Sequence, residues 1–404
     1  MDLSGRTSAL ASGWANLLDL GTTIALAVVL AYFVAITVIG VRRRTMHEPD
    51  SGDFDGLNDG ADAAAVPGWA SRSRRGVFVV LALGSALLLW AVALVLSDDS
   101  KRFLAAREWQ AQPLYLAAHL IALRLFASIF AHNYLEGVQR LKQPEAEARL
   151  AVATLLGPLA LLAAMLIAMP FCLSDLRHFL GTYEKLSGSV TPSAVDWLMY
   201  AIWCLEWTIN ALIWVILCGA LVLNVRSIRG HDFRAPIYDV LVERHYRPFL
   251  RMGVQGASVT LAFGVATLLY ILHAGGELTD YLGLGITVGL LAASFVPPWL
   301  ALRRKVNAAV TREMSTLQMR VRDAGAIDAD ASLPSLAEID TRQRNMQALL
   351  RLLHLDRLHQ SVGQREATAV LLRLLAPAMT IGWSVWSNGA MMQKMLEILK
   401  RMLG

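Results

Sequence analysis

The chain has 404 residues, 55% of them hydrophobic and 17% charged, with a formal net charge of +5. Soluble domains carry about 45–50% apolar and about 25% charged residues. Here the excess sits in runs of 18 to 29 residues almost without charge, longer than a buried core helix requires. A soluble globule, a disordered chain, a collagenous repeat and a secreted disulfide scaffold are excluded. What remains is an all-α polytopic transmembrane bundle.

The first apolar run, 20–41, is followed at once by Arg42, Arg43 and Arg44. It has no basic leader and is too long for a signal peptide, so an uncleaved anchor is expected. Lys and Arg stay on the cytoplasmic side of a membrane. That puts the N-terminus outside and the 42–76 loop, which closes on Arg72, Arg74 and Arg75, in the cytoplasm. The middle of this loop (Asp50, Asp53, Asp55, Asp59, Asp62) is acidic and rich in Gly and Ala. It is too poor in apolar residues to fold alone, and it lacks the spacing and closing Glu of an EF-hand.

Runs at 77–96, 114–131, 150–173, 197–225, 252–274 and 281–302 complete seven predicted spans, since a helix crosses a bilayer in about 20 residues. The run at 114–131 is the shortest and contains Arg124 and His119. Were it not to cross, every later segment would change sides. With it crossing, the cytoplasmic segments hold 26 Lys and Arg and the outer ones 6. The positive balance therefore reports orientation and not an affinity for nucleic acid. Cys172, Cys204 and Cys218 lie in or beside apolar runs, an odd number that reads as small buried residues.

Only Arg124 and Glu206 place a charge deep inside a predicted span. Counted from the outer starts of their helices they lie about 15 Å and about 14 Å deep, so an ion pair near the midplane is expected. Ser128 and His132 follow Arg124 at four-residue steps, and Asn210 follows Glu206 by four, each set on one helix face. Such groups form a polar track for an ion, proton or small solute, or a buried pair that only fixes helix register. His119 and His132 are accompanied within the spans by His273 alone. A haem held between helices needs more ligands, so ordinary hydrogen-bonded histidines are expected. No catalytic residue, metal site or cofactor is assigned.

Pro158 after Gly157, Pro170, and Pro297 with Pro298 are expected to break their helices locally. Gly256, Thr260 and Gly264, facing Gly285, Gly289 and Ala293, predict a closely packed antiparallel hairpin of the last two spans. The 226–251 loop gathers His231, Asp232, Asp239, Glu243 and His245 among arginines, but in no ligand spacing. A solvated basic loop is the expectation there.

The bundle is predicted to occupy 1–302, followed by a cytoplasmic amphipathic helical region at 303–367 and an embedded or interfacial segment at 368–404. A basic helix leaves the membrane over 303–322, and 323–334 is rich in turn residues. Over 335–375, Met346, Leu349, Leu350, Leu353 and Leu358 form one apolar stripe, expected to pack on the cytoplasmic face of the bundle. Anionic lipid or another chain are the alternatives. The run 369–386 is a candidate eighth span, with Arg373 near its start and Pro377 inside it. The partners expected are the lipid bilayer and, through 335–375 and 390–403, a protein or a second copy.

The function expected is a transport, pore or export-complex subunit in the plasma (inner) membrane of a bacterium. A scaffold or sensor acting through the cytoplasmic helices is the second reading. A membrane enzyme on lipid-linked substrates, using the 226–251 loop, is the third. The absence of a P-loop, His-Glu-x-x-His, Gly-x-Ser-x-Gly and Cys-x-x-Cys argues against an enzyme.

Overall fold

The computed structural model describes residues 75–96, 107–187, 194–274, 278–324 and 367–375, with single positions between 340 and 355 and at 379. The predicted first span at 20–41, the acidic loop to residue 74, the 391–403 tail and the side chain of His273 lie outside that description.

Among the described residues, eight helices follow in chain order up to Ala324: α1 Arg75–Leu96, α2 Arg107–Gln139, α3 Glu145–Leu155, α4 Pro158–Ser187, α5 Ala194–Gly230, α6 Ile237–Val242, α7 Arg247–Ala274 and α8 Leu278–Ala324. Six stretches are long and apolar enough to cross a membrane: Phe78–Leu96, Ala111–Gln139, Glu145–Leu173, Ala194–Gly230, Ile237–Ile271 and Gly283–Met319. They correspond in order to the second to seventh predicted spans.

Burial sorts these helices. The apolar stretch of α2 is 83% buried, against 22% for α1 and for the α3–α4 stretch. So α2 is the axis of the bundle. It packs on α7, α5 and α1, while α5 also carries α4 and α8, and α7 packs on α8. α1 and α4 expose Leu81, Leu88, Leu162 and Leu166 outward, as helices that are apolar all round do when one side is suited to lipid.

One local expectation holds and two change. The chain breaks at Leu156–Gly157, where Pro158 opens α4. There its missing N–H costs nothing, because a first-turn N–H has no helical partner. But α4 runs through Pro170 and α8 through Pro297 and Pro298. Proline is tolerated inside such helices when neighbouring groups re-satisfy the freed carbonyls. The small-residue hairpin is also displaced. A Cβ on Gly253 would meet Phe295 Cδ2 at 1.9 Å and one on Gly256 would meet Leu291 Cδ1 at 2.9 Å, whereas Gly285 and Gly289 have nothing within 4 Å. The close approach is thus of large α8 side chains onto small α7 positions.

The 226–251 loop keeps exposed charges such as Asp232 but folds into a cap. Leu141 and Phe233 form an isolated bridge. Lys142 N donates to Asp232 O at 2.8 Å and Arg234 N to Arg140 O at 3.0 Å. Val240 and Leu241 of α6 are buried with Leu141. Lys305 of α8 donates to the carbonyls of Ile228, at 2.7 Å, and of His231, so a cation closes the C-terminal end of α5 as the exposed helix carbonyls favour.

The C-terminal stripe is only partly covered. Leu355 is fully buried, but Met346, Leu350 and Leu353 are 61%, 59% and 62% exposed. Among the described residues these three are not covered by the bundle; Leu349 and Leu358 of the predicted stripe lie outside the described residues. The start of the candidate eighth span does pack on the bundle. Ala367, Val370 and Leu374 enter the core, and Arg373 Nη1 donates to Val254 O at 2.9 Å and Ser258 Oγ at 2.8 Å of α7.

Candidate functional site

Side chains three or four residues apart share a face of a helix. On α2 this brings Tyr115 and His119 together. On α5 it aligns Trp203, Glu206, Trp207 and Asn210. With Phe263 and Thr267 of α7 and Gly283 and Leu284 of α8, they line a cavity of about 20 Å³, room for about a single water molecule. His119 is fully buried and Glu206 is 3% exposed.

The hydrogen bonds assign the tautomer of His119. Its Nδ1 lies 2.9 Å from the Tyr115 carbonyl oxygen, which can only accept. Nδ1 therefore carries the proton and donates, leaving Nε2 to accept from Asn210 Nδ2 at 2.8 Å. Asn210 Oδ1 is buried and has no hydrogen-bond partner among the described residues. It is the acceptor that the site still offers to a donor.

Aromatic groups hold this arrangement. Tyr115 and Phe263 meet the imidazole edge to face, at 4.3 Å and 4.8 Å between ring centroids. Tyr115 stacks on Tyr270 at 4.3 Å, and its hydroxyl donates to Thr267 Oγ1 at 3.0 Å. Trp207 stacks on Phe171 of α4 at 4.4 Å, and Trp214 Nε1 donates to Thr287 Oγ1 of α8 at 2.8 Å. The site residues on α5 are thus fixed by packing on both flanking helices.

Of the residues singled out from the sequence, His119, Glu206 and Asn210 meet at this cavity. Arg124 is elsewhere. It is 2% exposed, with its guanidinium 4.6 Å from the centroid of the Phe78 ring of α1, and it is not among the cavity-lining residues. Five residues separate it from His119, which turns it about 140° around α2 and moves it about 7.5 Å along. Ser128 is buried on α2. His132 Nε2 lies 3.9 Å from Glu136 Oε2, whose other oxygen is 3.4 Å from Arg251 Nη1. That group sits beside Asn133, whose Nδ2 donates to Gln255 Oε1 at 2.9 Å. Sequence reading missed Tyr115, Thr267, Trp203 and Trp207. The four-residue steps from Tyr115 to His119 and from Trp203 to Trp207 were the available signal.

In the cap, His245 Nε2 pairs with Glu243 Oε2 at 2.6 Å, and Asp232 lies 3.9 Å from Lys305. Among the described residues no three His, Cys, Asp or Glu side chains converge as a metal site would require. Comparison with known protein families, with curated proteins and with solved structures finds no match to this chain.

Proposed function

We propose that this chain is an integral membrane protein that serves as a transport or pore subunit, and that the cavity between α2, α5, α7 and α8 receives one small polar or cationic species at a time. The observation that carries this reading is the convergence of Glu206, Asn210 and His119 on a single cavity among helices long and apolar enough to cross a bilayer. An ionisable group in hydrocarbon is costly and marks a functional site by default. The aromatic wall keeps the site small, and the free Asn210 oxygen offers a lone pair to the cargo. With α2 and α5 starting outside, as the Lys and Arg distribution favours, the cavity lies in the outer half of the bundle.

The test is flux into proteoliposomes, with a pH-sensitive dye inside for protons and with labelled Na⁺ and K⁺. The expected result is flux of at least one of these above protein-free vesicles, reduced at least about tenfold in Glu206→Gln, as for a charge that acts on the permeating species. Flux equal to that of empty vesicles for all three, from protein shown to be folded, overturns the reading.

A further inference from the structure

The helical positions between 340 and 355 are fastened on one side and bare on the other. His354 Nδ1 and the Tyr238 hydroxyl of α6 lie 3.0 Å apart, the Arg351 guanidinium stands 5.6 Å over the Tyr238 ring, and Leu355 is fully buried. Met346, Leu350 and Leu353 follow steps of four and three, so they share a face. Each is about three-fifths exposed. They are therefore large apolar side chains held in place and pointed away from the fold, which is not the state of a loose tail.

We propose that this Met346–Leu350–Leu353 face lies on an anionic phospholipid surface, at the end of the bundle from which α8 emerges. Three observations select that occupant. The first is charge. α6 packs on α8, and Arg229, Arg303 and Arg304 are exposed at that end, beside Arg226, which lies 3.7 Å from Glu147, and Arg344, which pairs with Asp340. Clustered Arg and Lys beside a span attract anionic headgroups.

The second is continuity. Twelve residues after Leu355, Ala367, Val370 and Leu374 join the buried core, and Arg373 reaches Val254 and Ser258 of α7, within a stretch of α7 long and apolar enough to cross a membrane. The outward Leu371, Leu372 and Leu375 are 63%, 64% and 54% exposed. Exposed apolar side chains thus occur both in the 340–355 helix and in the segment attached to α7.

The third is size. Three such side chains offer on the order of 300 Å², well short of the roughly 800 Å² per partner of a stable protein interface. A bilayer asks for no matching surface, only for an apolar face flanked by cationic residues.

The experiment uses the full chain in nanodiscs, with Cys172, Cys204 and Cys218 replaced by alanine. An environment-sensitive fluorophore is placed at Leu350→Cys or at Gln347→Cys, an exposed position about 90° around the helix from the centre of the stripe. The discs contain phosphatidylcholine with or without phosphatidylglycerol, plus a nitroxide lipid that quenches at headgroup depth. The expected result is quenching at 350 at least about threefold that at 347, falling by about half or more when phosphatidylglycerol is left out. Equal quenching at the two positions overturns the proposal, as does quenching at 350 indifferent to phosphatidylglycerol. Excimer formation between labels at 350 on two copies also overturns it, in favour of a self-contact.

Discussion

Asn210 Nδ2 lies 2.8 Å from His119 Nε2, and this bond joins α5 to α2 across the cavity. The imidazole is committed on its other side to the Tyr115 carbonyl, so Asn210 is the partner that lets a neutral histidine sit in an aromatic wall. Asn210→Leu leaves Nε2 buried without a donor, at a cost of about 1–2 kcal/mol. Adding His119→Phe removes the stranded nitrogen. A double-mutant cycle from unfolding in detergent is expected to show coupling of about 1 kcal/mol. Additive effects would show that the contact does not form.

The hairpin of α7 and α8 makes a prediction with an internal control. A methyl on Gly253 would overlap the Phe295 ring, and overpacking of this kind costs about 1–3 kcal/mol. Gly253→Ala is expected to lower the unfolding midpoint, and Phe295→Leu in the same chain to restore much of it. Gly289→Ala meets nothing among the described residues and should be neutral or gain about 0.5–1 kcal/mol from lost backbone freedom. Equal loss at both glycines would mean that helix approach is not set where Phe295 sits.

Six candidate spans were legible because charge is nearly absent from them, and an apolar run of that length has few alternatives in water. The α5 face of the site was half legible. Glu206 and Asn210 stand four apart, and Trp203 and Trp207 share the face. What lies opposite was not legible. His119 reaches Asn210, and Arg124 reaches Phe78, through helix pairings that depth alone does not determine. The cap was hidden for another reason. Its ties, Leu141 to Phe233 and Lys305 to Ile228, join positions far apart in the chain, while its local composition reads as a polar loop. The 346–353 stripe was visible as an apolar face, but periodicity does not say what covers it.

Lys305 should matter more for its carbonyl contacts than for its ion pair. The ammonium donates to Ile228 O and His231 O, and hydrogen bonds to a charged group contribute about 1.5–3 kcal/mol. Asp232 is 3.9 Å away, with its side chain 84% exposed, so screening leaves that pair about 0.5 kcal/mol or less. Lys305→Met is expected to raise amide exchange across 231–246 by at least about tenfold, with Asp232→Asn close to wild type. A larger effect from Asp232→Asn would assign the role to the ion pair instead.

The attachment of residues 367–375 rests on one guanidinium among apolar contacts. Arg373 Nη1 bridges Val254 O and Ser258 Oγ, while Val370 and Leu374, on the same face, are buried. Ser258 Oγ also donates to Val254 O at 3.1 Å, so the two acceptors form one small polar notch on α7. Ser258→Ala takes away one acceptor and leaves the carbonyl, which should cost about 1 kcal/mol. Arg373→Leu removes both bonds but keeps apolar bulk, and it removes a charge from an apolar setting. If the bonds hold the segment, amide exchange in 367–375 rises by about tenfold or more in Arg373→Leu and by less in Ser258→Ala. If burial of Val370 and Leu374 holds it, Arg373→Leu leaves exchange unchanged or slows it, and Val370→Ala becomes the variant that releases the segment.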